Sequence, residues 1–129
     1  MDEMKRAWIY CRIDAPEDVH GSLKGQKREL FDYTEQMGMS VAGSSEDIGS
    51  GLNFDRSGLV EVLEAADAGK MDVLVIKNLS RLGRDTTKTI EFIKKLDERN
   101  IHICSPLEGE IQLTQFEALF NHFYGLNME

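Results

Sequence analysis

Cysteine and proline are scarce in this 129-residue chain, with two of each, and tryptophan occurs once. Cys11 and Cys104 belong to no CxxC pair or Cys/His cluster, which excludes a disulfide framework and a zinc module and leaves two buried, reduced thiols as the expectation. No apolar run approaches the roughly 20 residues needed to cross a bilayer. The opening Met-Asp-Glu-Met-Lys-Arg leads into no signal-like apolar stretch, so a soluble, cytoplasmic protein with no membrane partner is expected. Repeats and low-complexity segments are absent. Positive charge is also short, at 15 Lys plus Arg against 23 Asp plus Glu, a net −8 that argues against nucleic-acid binding by simple charge excess. The distribution is uneven. Residues 1–68 hold 7 basic and 14 acidic side chains, residues 69–104 hold 8 and 5, and residues 105–129 hold none and 4, so only the middle segment is net positive.

What the chain does have is 41% hydrophobic residues in a pattern that alternates strands with helices, enough for one compact domain. Residues 7–13 (AWIYCRI) read as a buried strand. Residues 22–37 form a helix with Leu23, Leu30, Phe31 and Met37 on one face and a stop at Gly38. A weaker strand at 41–44 precedes DIGSGLNFDRSG, a glycine-rich surface loop, and a short helix at 59–68 closes on Gly69. The run MDVLVIK at 71–77 is apolar throughout, as a parallel strand buried on both faces requires. A helix at 86–99 follows, with Ile90, Ile93 and Leu96 inward and Asn100 as its end, and 101–104 is a last strand. The pattern predicts an α/β fold: a three-layer domain whose mostly parallel central sheet of four to five strands is flanked by helices.

The tail differs from the rest. From Leu113 onward, Phe116, Leu119, Phe120 and Phe123 recur at helical spacing, which suits packing on the parent domain or an oligomer interface, with a partner helix as the sharper reading. The division expected is a domain over 1–107 and an interface helix starting in 108–129.

In open α/β sheets ligands bind at the carboxyl ends of the strands. Two loops at that edge carry arginine: Tyr10-Cys11-Arg12-Ile13-Asp14 after the first strand, and Leu79-Ser80-Arg81-Leu82-Gly83-Arg84-Asp85 after the buried third. Arg81 and Arg84 share a face if their turn is helical. A third basic element, Asp55-Arg56-Ser57-Gly58-Leu59, closes the glycine-rich loop. Guanidinium groups suit phosphate because their planar fork donates two hydrogen bonds and keeps its charge. Asp85 either orients Arg84 or caps the next helix. Lys77 reaches either the phosphate site or solvent, and His20, His102 and His122 are scattered as surface or packing residues.

These blocks, together with Ser22-Leu23, Gln26, Asp47-Ile48-Gly49-Ser50-Gly51 and Met71-Asp72-Val73-Leu74-Val75, stand in the order and spacing of a known family. The chain resembles the serine recombinases, which include resolvases, DNA invertases and large phage or transposon integrases. That resemblance implies a resolvase-like catalytic domain of DNA recombination and integration in mobile elements. Its members cleave DNA through a serine hydroxyl, hold a phosphoserine link to the 5′ end and use no metal or cofactor. It also implies that Arg12, Arg56, Arg81 and Arg84 surround the scissile phosphate, with Gln26, Ser80 and Asp85 ordering the site, and that the protein assembles as a dimer or tetramer. Ser80 stands where many resolvases have aspartate and large integrases often have serine.

Two features depart from the family. Its nucleophilic serine falls two residues after the arginine of Tyr-x-Arg, and Asp14 occupies that place. A carboxylate attacking phosphorus would give a hydrolysable acyl phosphate, so strand exchange through Asp14 is not expected, and its charge competes with a DNA phosphate for the arginines. Relocation of the nucleophile to Ser44, Ser45 or Ser50 has no support in spacing. The second departure is that no helix-turn-helix or Cys/His module follows, so no DNA-binding domain is expected and DNA binding by this chain alone should be weak. A non-enzymatic, dimerising relative of the recombinases is the alternative reading. A nucleotide-binding loop fits poorly, since DIGSGLNFDRSG lacks the lysine of a P-loop and opens no GxGxxG helix.

Overall fold

A computed structural model describes residues 4–13, 22–49, 57–78, 81–82 and 86–111. Among the described residues, five strands and three helices follow one another as β1 (Arg6–Ile13), α1 (Ser22–Gln36), β2 (Ser40–Ile48), α2 (Ser57–Asp67), β3 (Val73–Val75), α3 (Thr86–Glu98), β4 (His102–Ser105) and β5 (Gly109–Ile111). The strands lie in the order β2-β1-β3-β4-β5, the first four parallel and β5 antiparallel to β4. The period-2 alternation of β1 divides the core. Ala7, Ile9, Cys11 and Ile13 face α1, where Leu23 and Leu30 complete one cluster with Val73, Val75 and Cys104. Tyr10 turns to the other face with Leu74, Ile76 and Ile103, against Leu59 and Val62 of α2 and Phe92, Ile93 and Leu96 of α3. Helices on both faces of the sheet make the three layers expected from the sequence. Burying each of these large apolar side chains contributes about 1.5 to 3 kcal/mol. Both cysteines are free and buried.

Several local expectations change. Phe31 and Met37 are 36% and 56% exposed, not part of the α1 core face. The inward stripe of α1 instead runs Leu23, Gln26, Leu30 and Thr34, the i, i+3, i+7, i+11 series, and Phe31 lies one residue off it. Strand β2 extends to Ile48, well past the predicted 41–44, because β1 supplies backbone partners as far as Ile13↔Ile48 where the SSED segment gives no side-chain signal. Of the predicted 71–77 only Val73–Val75 pairs as strand. Ile90 is half-buried while Phe92, not predicted inward, is buried. Strand β5 was not anticipated; it is three residues long and follows a turn in which the Ser105 hydroxyl bonds the Glu108 carboxylate and accepts the Glu108 N–H at 2.8 Å. Asn100 ends α3 in the left-handed region, φ 59°, and Gly69 does the same after α2, φ 67°. The tail from 112 to 129, with Phe116, Leu119, Phe120 and Phe123, lies outside the described residues.

At the amino edge of the sheet, Arg6 fastens β1 to the α2–β3 connection. Its Nε and Nη2 donate to Asp72 Oδ2 and Oδ1 at 3.1 and 3.0 Å, and its Nη1 donates to the Gly69 carbonyl at 2.7 Å. These bonds lower the Asp72 carboxyl from its usual 3.8 to about 2. A depressed carboxyl stabilises the fold at pH values above its unfolded pKa, and the contribution disappears as pH falls through the folded one. Both side chains are more than one-third exposed, so screening limits the effect to about 0.5 to 1 kcal/mol. Asp72→Asn is therefore expected to lower the urea midpoint at neutral pH by that amount and to match the unaltered chain by about pH 2; a deficit that persists unchanged at pH 2 would contradict this assignment.

Candidate phosphate-binding site at the carboxyl edge

Strand β1 outruns its neighbour. Pairing with β3 stops at Ile9↔Val75, while pairing with β2 continues to Ile13↔Ile48. The Ile13 carbonyl accepts from Gly49 N–H at 2.9 Å, on the β2 side, so by strand alternation the N–H and C=O of Arg12 point to the side that β3 has left. Gln26 fills that gap from α1. Its Oε1 accepts the Arg12 N–H and its Nε2 donates to the Arg12 carbonyl, both at 3.2 Å, so one side-chain amide stands in for a missing strand. Gln26 is 4% exposed, and this bidentate pairing satisfies a buried backbone that would otherwise be orphaned.

The Arg12 side chain is 2% exposed, and its guanidinium knits the edge together. Nη1 donates to the Gly49 carbonyl at 2.7 Å and Nε to the Arg81 carbonyl at 3.2 Å. Arg81 returns the contact, its Nη1 donating to the Arg12 carbonyl at 3.2 Å. The two arginines thus clasp each other, each side chain on the other's backbone oxygen. Arg81 sits in a tight turn, its N–H bonded to the Asn78 carbonyl at 3.0 Å, and precedes α3 rather than belonging to it. Its Nε is buried and has no hydrogen-bond partner among the described residues. A buried guanidinium N–H left in that state favours an anionic acceptor.

Tyr10 and Asp47 tie the end of β2 to the start of α2. The Tyr10 hydroxyl donates to Asp47 Oδ2 at 2.8 Å, and Asp47 accepts the Gly58 N–H at 2.9 Å and the Leu59 N–H at 3.2 Å. A carboxylate from the end of β2 therefore caps α2 across the loop, where the helix dipole favours negative charge. Only glycine fits at 58, because a Cβ there would lie 2.6 Å from Asp47 Oδ2. Trp8 Nε1 donates to Ser45 Oγ at 3.0 Å, and Ser45 Oγ donates to the Gly58 carbonyl at 2.8 Å, adding a second tie. The roles of Tyr10 and Asp47 as loop anchors were not read from the sequence. The Tyr10 ring packs in the core, and the signal missed was a tyrosine on β1 and an aspartate two register positions farther along the adjacent parallel strand β2.

Burial pushes the Cys11 thiol up to about 12, with Glu46 adding to the rise and Lys27 and Arg81 opposing it. It stays protonated and takes no nucleophilic part. Lys77, left open by the sequence, stands 4.0 Å from Glu29 of α1 and is 40% exposed. His102 pairs with Glu110 on the β4–β5 surface, away from the arginines. Among the described residues no cluster of His, Cys, Asp and Glu has the arrangement of a metal site, and no helix is long and apolar enough to cross a membrane. Of the residues singled out from the sequence, the structure brings Arg12, Gln26 and Arg81 together. Asp14, Arg56, Ser80, Arg84 and Asp85 lie outside the described residues.

The described residues form a mostly parallel α/β sheet with two arginines clasped at its carboxyl edge. The family described as Resolvase, N terminal domain, matches residues 7–127, and the chain belongs to it. Transposon Tn3 resolvase of Escherichia coli is 33% identical over 98 residues, covering 76% of this chain and 48% of that protein. Transposon Tn2501 resolvase of the same species is 33% identical over 113 residues, with 82% and 53% covered. The chain spans about half the length of the curated relatives it matches. Among solved structures, the N-terminal catalytic domain of TP901-1 integrase superposes with a TM-score of 0.81 at 23% identity, over 95% of this chain and 98% of that one. The C-terminal catalytic domain of ISC1926 TnpA, an IS607-like serine recombinase, gives 0.71 at 27% identity, over 94% and 82%.

Proposed function

We propose that this chain is a serine-recombinase catalytic domain that grips a DNA backbone phosphate but does not cut it. The single observation carrying the first half is the Arg12–Arg81 clasp, held by Gln26 and oriented so that a buried Arg81 N–H awaits an anion. Preorganised cations of this kind bind the ground-state phosphate and stabilise the added charge of a pentacovalent transition state. Arg56, Arg84, Ser80 and Asp85 complete the phosphate site in this reading. No metal or cofactor takes part.

The second half rests on Asp14, which replaces the family's hydroxyl nucleophile with a carboxylate. A carboxylate beside the arginines repels the incoming phosphate, and an acyl phosphate formed there would be lost to water before religation. The domain then acts in recombination of mobile DNA as a bound, non-cutting member of an assembly, joined to its own copies in a dimer or tetramer through Phe116, Leu119, Phe120 and Phe123. A nicked suicide duplex, which traps any covalent step, tests this: the unaltered chain is expected to give a salt-sensitive complex and no adduct that survives detergent. A covalent adduct mapped to Asp14 would overturn the cleavage half, and absence of any DNA complex at low salt would overturn the phosphate half.

A further inference from the structure

The outward face of α1 carries its charges in an order the helix itself disfavours. Lys24, Lys27 and Arg28 lie in the first half, and Glu29, Asp32 and Glu35 in the second. The helix dipole is positive at its amino end, so Lys24 in the first turn and Glu35 in the last each sit at the wrong pole. Lys24 and Arg28, four residues apart, also repel. Among the described residues no carboxylate pairs with any of these three cations. An arrangement that costs helix stability and is not compensated by ion pairs among the described residues fits a negative partner.

The position of these cations says which partner. Gln26, between them in sequence, faces inward and holds Arg12, so the basic end of α1 adjoins the arginine clasp. Lys24, Gly25, Lys27, Arg28 and Phe31 line a surface groove of about 540 Å³. Its floor is open at Gly25, where a Cβ would meet nothing within 4 Å, and Phe31 is 36% exposed beside it.

We propose that this face of α1 is a second phosphate-contacting surface, which takes the duplex DNA backbone flanking the phosphate held at Arg12 and Arg81. The Lys and Arg head groups meet phosphate oxygens, while their methylene stems and the Phe31 ring meet the apolar faces of the deoxyriboses. The inference rests on the phosphate-binding reading given above and extends it along the strand.

The test is duplex DNA binding by fluorescence anisotropy across a salt series, comparing the unaltered chain with a triple variant, Lys24→Gln, Lys27→Gln and Arg28→Gln. The Trp8 emission and thermal midpoint confirm that the variant folds. Each lost phosphate contact removes about 0.9 from the slope of log K against log salt, so the triple variant should bind about ten- to a hundredfold more weakly at low salt and lose about 2 to 3 from the slope. Gly25→Leu, which fills the groove floor without changing charge, should weaken binding while leaving the slope nearly intact. If the unaltered chain binds and the triple variant keeps both affinity and slope, the α1 surface is refuted while the arginine site stands. If the unaltered chain binds no DNA, both readings fall. Loss of self-association with DNA binding intact would assign the groove to an acidic, aromatic segment such as that around Phe116 and Glu117, and would refute the DNA surface.

Discussion

Asp14→Ser is expected to leave a protein–DNA adduct on a nicked substrate where the unaltered chain is expected to leave none. The arginine clasp does not depend on residue 14 for its described contacts: Arg12 is fixed by Gly49, Arg81 and Gln26. A hydroxyl restored to the nucleophile's position would therefore meet a phosphate site already oriented for attack. Nucleophile loss in enzymes whose remaining groups stay in place typically costs factors of about 10⁶, with the electrostatic site alone retaining part of the acceleration. Restoration should accordingly raise adduct formation by at least about a thousandfold over the unaltered chain. The same change removes one negative charge from the chain, so noncovalent DNA affinity should rise as well. If Asp14→Ser binds DNA more tightly yet forms no adduct, the defect extends beyond the nucleophile, and the non-enzymatic, dimerising reading becomes the better account of the chain.

Arg12→Met should be the most damaging single change to the fold of the site. Methionine matches much of the stem's volume but leaves the Gly49 and Arg81 carbonyls without the donors at 2.7 and 3.2 Å. Hydrogen bonds from charged donors contribute about 1.5 to 3 kcal/mol each, and partial exposure of Gly49 lets water recover some of the loss, for a net cost of about 3 kcal/mol. In a domain of this size that corresponds to a fall in Tm of about 10 to 15 °C. Arg12→Lys should recover little, because one ammonium cannot reproduce the two divergent donations of a guanidinium. A scanning-calorimetry shift under about 3 °C for Arg12→Met would mean that the buried clasp is structurally idle. Both substitutions should weaken DNA binding and reduce its salt slope, and Arg81→Gln should do so with a smaller stability loss, since Arg81 is only partly buried.

The periodic features of the chain were legible without coordinates because burial imposes a repeat on each element separately. The apolar, β-branched runs at 7–13 and 71–77 marked buried strands, and Asn100 and Gly69 marked helix ends through the left-handed backbone they adopt. The ordered blocks around Tyr10, Asp47, Arg56, Leu74 and Arg81 were sufficient to indicate the family. Phe31 was misread because an apolar residue one step from a helical stripe looks inward until the neighbouring helix turn is placed. β5 was missed because three residues after a turn carry no period of their own.

The site depended on tertiary structure for a different reason. Arg12 and Arg81 are 69 residues apart, and what joins them is each one's side chain on the other's backbone carbonyl, an interaction invisible to residue type or spacing. Gln26 matters because β3 stops at Val75 and leaves the Arg12 amide unpaired, which is a fact of strand length and not of local sequence. Asp47 caps a helix that begins ten residues later, across a loop. The sequence by itself determined the layers, the order of the elements from β1 to β4 and the chemistry available at the carboxyl edge. Tertiary structure alone decided which of those groups are held together, because backbone hydrogen bonds between segments distant in the chain are satisfied only once the sheet has set its register.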